Sequence, residues 1–118
     1  MIEPLDLQIA HDCVEWADDK KAEDIVLLDL SELDGPALLF LICHGQSTPQ
    51  LKAIVDSIES GMSEKHQLKP FARDGKRSSD WMVLDYGALM VHILSKEMRD
   101  KYELEELWCD SEKIDLKL

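Results

Sequence analysis

Ala37-Leu38-Leu39-Phe40-Leu41-Ile42-Cys43-His44-Gly45-Gln46-Ser47-Thr48-Pro49-Gln50 is the stretch that decides the fold. From Ala37 to Cys43 it is apolar without interruption. That is the pattern of a strand covered on both faces, since an open face would show polar residues at every second position. Gly45 ends the run, and Ser47 then offers a hydroxyl to an orphan amide of a following helix. Pro49 suits the first helical turn, and Ser47 with Gln50 has capping-box spacing. Leu51, Ile54, Val55, Ile58 and Met62 recur at helical steps and make one buried stripe. A central strand running into an amphipathic helix is the kernel of a layered sheet-and-helix fold.

Upstream, Leu5, Ile9, Cys13, Trp16 and Ala17 trace the apolar stripe of a first helix whose other face holds His11, Asp12, Glu15 and Asp18. Asp18-Asp19-Lys20-Lys21 closes it, and Ile25 to Leu30 reads as a strand buried on both faces. Gly35-Pro36 breaks the chain before the central run. Downstream, a short strand is expected at Leu68 to Ala72 and a mobile polar loop from Arg73 to Asp80. Trp81 to Asp85 and Ala88 to Leu94 are strand-like, and the short link Tyr86-Gly87 between them predicts an antiparallel hairpin. Ser95 can cap a last helix carrying Met98 and Tyr102, continued or restarted through Leu104, Leu107 and Trp108, with a charged tail from Asp110. The predicted class is α/β or α+β, a single mixed sheet flanked by helices, with residues 1–118 forming one domain.

A formal charge of −12 repels phosphate backbones and favours basic partners, which argues against autonomous nucleic-acid binding. With 45% hydrophobic and 32% charged residues the chain has the balance of a folded globule. Met1 to Leu7 lacks a basic stretch followed by an apolar one, and no apolar run approaches the roughly 20 residues that span a bilayer. A cytoplasmic protein without membrane contact is expected. Cys13, Cys43 and Cys109 are far apart and lack CxxC pairing, so reduced, packing thiols are expected.

The residues of common chemistries are missing. His11, His44, His66 and His92 have no second histidine or cysteine at ligand spacing, so neither metal nor other cofactor is expected. His44, at the end of the central strand, is the best-placed ligand candidate, with an edge-of-core histidine as the competing reading. Gly45-Gln46-Ser47 resembles the opening of a nucleotidyltransferase site, where glycine and serine hold phosphates at a helix N-terminus. Such chemistry also needs paired carboxylates to hold magnesium, and no Asp-x-Asp follows on the next strand. A small nucleotide-binding enzyme using the Gly45 turn is therefore the alternative to a binding protein.

Three segments resemble the Iojap family of ribosomal silencing factors. They are Lys21 to Asp29, then Gly45-Gln46-Ser47 with Gln50 and Ala53-Ile54-Val55-Asp56, then Asp80 to Gly87 with Val91-His92-Ile93 and Tyr102 to Trp108. The resemblance implies a nucleotidyltransferase-like fold without catalytic carboxylates, and no enzyme activity. It also implies a repressor of translation that grips ribosomal protein L14 on the large subunit and keeps the small subunit away. It also allows pairing of the free protein with a second copy. Two places depart from the family pattern: Leu38-Leu39 stand where the family commonly has Asp-Tyr or Asp-Cys, and Ala88 replaces an aspartate.

For the docking surface, Trp81 at a strand start and Tyr86 at a hairpin tip have the amphipathic character of binding hot spots. The resemblance extends the candidate to Trp81, Asp85, Tyr86 and Gly87, with Met90 and His92 on the next strand as further members. Alternation puts Trp81, Val83 and Asp85 on one face and Met82, Leu84 and Tyr86 on the other, unless the turn rotates Tyr86. Arg73, Lys76 and Arg77 form the main basic cluster and are read as a solvated loop or a rim touching ribosomal RNA.

Overall fold

Every residue of Leu39–Gly45 (β2) is buried, as the unbroken apolar run requires. In the computed structural model, which describes residues 2–74 and 80–116 apart from the Asp74 side chain, this strand lies inside a six-stranded mixed sheet. Glu23–Asp29 (β1) pairs with it antiparallel, and Leu89–Ser95 (β5) pairs with it parallel. Trp81–Asp85 (β4) forms the expected antiparallel hairpin with β5. Ala72–Asp74 (β3) closes one edge, and Glu112–Lys113 (β6) closes the other beside Leu28 and Asp29.

Side chains alternate between two layers, as the pleat demands. Leu27, Leu39, Leu41, Cys43, Met82, Leu84, Val91 and Ile93 face one layer, covered by Pro4–Asp19 (α1) and Thr48–His66 (α2). Leu28, Phe40, Ile42 and Leu94 face the other, covered by Lys96–Tyr102 (α3) and Leu104–Leu107 (α4) through Met98, Leu104 and Trp108. The mixed α+β class read from the sequence is the observed one.

The two long helices meet at a glycine. A β-carbon at Gly61 would lie 2.3 Å from the Trp16 ring, so only glycine lets α2 approach α1 this closely, and Ser57 Oγ donates to the Trp16 carbonyl at 3.0 Å. Gly61→Ala is expected to cost about 2 kcal/mol through overpacking, seen as a lower thermal midpoint.

Several boundaries differ from expectation. Asp12, placed on the solvent face of α1, is only 3% exposed. It accepts hydrogen bonds from Gln8 Nε2 at 3.0 Å, His66 Nε2 at 2.7 Å and Lys65 Nζ at 3.1 Å. Leu5 leaves the apolar stripe and is 64% exposed, its place being taken by Ala10 and Val14. The first half of β1 is only partly buried, because β6 covers just its C-terminal end. The short strand begins at Ala72, since Pro70 has no amide to donate and Phe71 bonds through its own N–H to the Asp85 carbonyl. The last helical segment breaks at Glu103, which adopts a left-handed φ of 45°, and part of the expected tail is β6. The predicted mobile loop falls largely on residues 75–79, which lie outside the described residues together with Lys76 and Arg77.

Candidate functional site

The β4–β5 hairpin places its side chains by strict alternation. Trp81, Val83 and Asp85 of β4 stand opposite Leu94, His92 and Met90 of β5. Trp81, Val83, Asp85 and Met90 are partly exposed, because α3 and α4 shield only the neighbouring part of this sheet face. Tyr102 from α3 joins them, 47% exposed, with its ring 5.1 Å from that of Trp81. The result is a half-open apolar surface centred on an indole and bordered by the Asp85 carboxylate.

Tyr86 is not part of this surface. Its side chain packs against the α1–α2 layer on the far side of the sheet, as uninterrupted alternation requires, so the turn does not rotate it. Burial raises its hydroxyl pKa above the usual phenol value, reinforced by Cys13 and Glu59 and opposed by Arg73. Gly87 lies at the hairpin tip with φ +88°, where a β-carbon would meet the Phe71 ring at 2.9 Å. Its amide donates to Asp85 Oδ1 at 2.8 Å, so Asp85 fixes the tip that it also borders. Among the six candidates the structure therefore groups Trp81, Asp85 and Met90 on one open face, with Gly87 at its end, Tyr86 behind it and His92 beneath it.

His92 is 6% exposed, sandwiched between Phe40 at 4.7 Å and Trp81 at 6.1 Å between ring centres. Trp81 Nε1 donates to His92 Nδ1 at 3.2 Å. An indole N–H can only donate, so Nδ1 is the acceptor and the imidazole proton resides on Nε2. Burial lowers the His92 pKa from 6.5 to about 4. The unfolded chain therefore takes up this proton first, and stability is complete above pH 6.5 and declines as the pH falls toward 4. The decline attributable to this group is about 3 kcal/mol. Subtracting the stability profile of His92→Phe from that of the wild type should reveal it.

The Gly45 turn is filled by the protein itself. Ser47 Oγ accepts the Gln50 amide at 3.2 Å, the hydroxyl half of the expected capping box. The Gln50 carboxamide accepts the Gln46 amide at 2.7 Å and donates to the Lys21 carbonyl at 2.9 Å. A β-carbon at Gly45 would lie 3.0 Å from Gln50 Oε1, so this side chain packs directly over the turn. His44 is likewise engaged: Arg99 Nη1 donates to its Nδ1 at 2.9 Å, and its Nε2 faces Glu23 Oε2 at 3.2 Å. Arg99 can only donate, so the ring hydrogen on Nε2 faces the Glu23 carboxylate, while burial and the Arg99 charge lower the His44 pKa against the pull of Asp24 and Glu23. His44 forms the floor of a cleft of about 650 Å³ bordered by Asp24, Lys96, Arg99 and Glu105. Sequence reasoning missed Arg99 and Glu105, which bond to each other at 3.1 Å.

Other chemistries find little support. Among the described residues no group of three or more histidine, cysteine, aspartate or glutamate side chains could hold a metal ion. Cys13 and Cys43 are buried, and burial pushes the Cys43 thiol up to about 12, against the opposing charge of Arg99. Cys109 is exposed. Among the described residues no helix is long and apolar enough to cross a membrane.

Residues 4–118 match the family described as "Ribosomal silencing factor during starvation". The chain belongs to the ribosomal silencing factor family. The "Ribosomal silencing factor RsfS" of Bacillus subtilis is 37% identical over 99 residues, covering 84% of this chain and 83% of that protein. A mouse relative named "Mitochondrial assembly of ribosomal large subunit protein 1" is 35% identical over 71 residues, covering 58% of this chain and 31% of that protein. A crystal structure of a Chromobacterium violaceum protein superposes with a TM-score of 0.81 at 29% identity, covering 86% of this chain and 84% of that one. In this chain Leu38, Leu39 and Ala88 are neighbours: the Ala88 carbonyl accepts the amides of Leu38 at 3.0 Å and Leu39 at 2.9 Å.

Proposed function

We propose that the protein is a cytoplasmic repressor of translation that binds the large ribosomal subunit at L14 and sterically prevents the small subunit from joining. The match over residues 4–118 to the silencing-factor family carries this reading. The relatives' names support a ribosomal partner, and the mouse relative's name supports the large subunit. The protein acts by occupying a surface, with no bond made or broken.

The half-open face of Trp81, Val83, Asp85, Met90 and Tyr102 is the proposed contact. A half-buried aromatic anchor among partly open apolar groups is the composition in which a small interface concentrates its binding energy. An interface of standard size, roughly 800 Å² on each partner, is enough for specific binding. The charge of −12 steers the approach to a basic protein surface and keeps the molecule off exposed RNA. Arg73, read as a rim contact, is paired with Glu59 at 3.3 Å.

Co-sedimentation with purified large and small subunits across a salt series tests the reading. The expected result is capture by large subunits alone, weakening as salt screens the steering charges. Capture by neither subunit, or equally by both, would overturn it.

A further inference from the structure

We infer that His92 is a positioning residue for the docking surface: buried beneath it, it holds the Trp81 ring in its binding orientation by accepting the indole N–H, and itself touches no partner. The inference rests on the reading of the Trp81 face as the contact and adds what orients its central side chain.

Trp81 occupies the first position of β4 and is only partly buried, so backbone pairing alone leaves its side-chain torsions unrestrained on the open side. Tyr102 and His92 both limit them. Tyr102 lies against the ring at 5.1 Å, and His92 Nδ1 takes the indole hydrogen at 3.2 Å. Ring contact tolerates sliding and tilting, whereas a hydrogen bond fixes one atom and one direction. His92 is itself immobilised, its ring packed at a tilt against Phe40 with centres 4.7 Å apart, within a strand paired on both sides.

The arrangement is costly as pure architecture. Among the described residues the buried His92 Nε2 has no hydrogen-bond partner, although it carries the proton. An unsatisfied buried donor is destabilising, and an apolar ring of similar shape would fit the Phe40 stack without that penalty. A histidine here makes sense through what Nδ1 does for Trp81.

This separates two effects that usually travel together. His92→Phe keeps a ring against Phe40 and deletes both imidazole nitrogens. Its thermal midpoint should equal or exceed that of the wild type, while its affinity for purified large subunits falls about fivefold, the loss of one neutral hydrogen bond. The indole N–H resonance of Trp81 should move and broaden in the proton–nitrogen spectrum. His92→Asn places a carboxamide oxygen near the Nδ1 position but leaves part of the ring's space empty. It should melt at a lower temperature and yet recover most of the affinity and the sharp indole signal.

Measuring midpoint, indole resonance and subunit affinity for the wild type, His92→Phe, His92→Asn and Trp81→Ala decides the matter. If Trp81→Ala binds like the wild type, the assignment of the face fails and takes the inference with it. If Trp81→Ala loses binding but His92→Phe keeps it, the inference alone is overturned. It is also overturned if affinity across the two His92 variants simply follows thermal stability, because His92 would then be a packing residue.

Discussion

Trp81→Ala is expected to weaken capture of large ribosomal subunits about thirtyfold or more, the effect of losing a hot-spot aromatic worth at least about 2 kcal/mol. The indole is the hub of the open face, touching Tyr102 and bonded to His92, and its neighbours Val83 and Met90 offer only short or flexible apolar groups. Tyr102 is the other large rigid group on the face, and at 47% exposure it is less firmly seated than the indole. The fold should survive, because the partly buried Trp81 packs only on the margin of the second core layer, whose centre is Leu28, Phe40, Ile42 and Leu94. Circular dichroism and the thermal midpoint provide the control. Unchanged capture by a folded Trp81→Ala protein would remove this face from the account.

Asp12→Ala is expected to lower stability by about 3 kcal/mol, a fall in thermal midpoint on the order of 12 °C for a domain of this size. The carboxylate sits between α1 and α2, where Gln8, Lys65 and His66 all donate to it. Burial alone would raise its pKa, but the bonds from His66, Lys65 and Gln8 outweigh that and hold it below 3.8. An acid whose pKa is lower in the folded state stabilises above its unfolded value and loses that contribution as the pH falls through the folded one. The gap between wild type and variant should therefore be full at neutral pH and shrink below pH 3.8. Paired chemical denaturation at pH 7 and pH 3 would measure it. A constant gap would mean that Asp12 acts by packing, and a negligible one that the helix pair does not depend on it.

These two residues show where the sequence is legible and where it is not. The face that Trp81 occupies could be read because strand alternation is local: the run from Trp81 to Asp85 alone determines which side chains share a face, and it also separates Tyr86 from Trp81. Asp12 was misread because its burial depends on His66, fifty-four positions later. A carboxylate on the polar side of an amphipathic helix looks solvated until a second helix brings donors to it. The β2–α2 unit was readable from an unbroken apolar run and a serine cap, both local signals. β6 was not, since two polar residues become a strand only by lying beside Leu28 and Asp29. Tyr102 stayed hidden for the same reason. Its i, i+4 partnership with Met98 announces a helix, but only the packing of α3 on the sheet brings its ring to Trp81, twenty-one residues earlier.

The Gly45 turn carries a related lesson. Glycine, serine and a helix start together imply an anion site, yet the Gln50 side chain satisfies the turn from within. Gln50, which sits at the capping-box position, also ties the turn to the end of the first helix through the Lys21 carbonyl.

The central claim is occlusion: the protein covers a surface of the large subunit that the small subunit needs. Light scattering of purified subunits mixed with a saturating excess of the protein tests it most directly. The account predicts that the rise in scattering from joined subunits is abolished by the wild type and restored when Trp81→Ala is used at the same concentration. Normal joining in the presence of wild-type protein shown to be bound to the large subunit would contradict it.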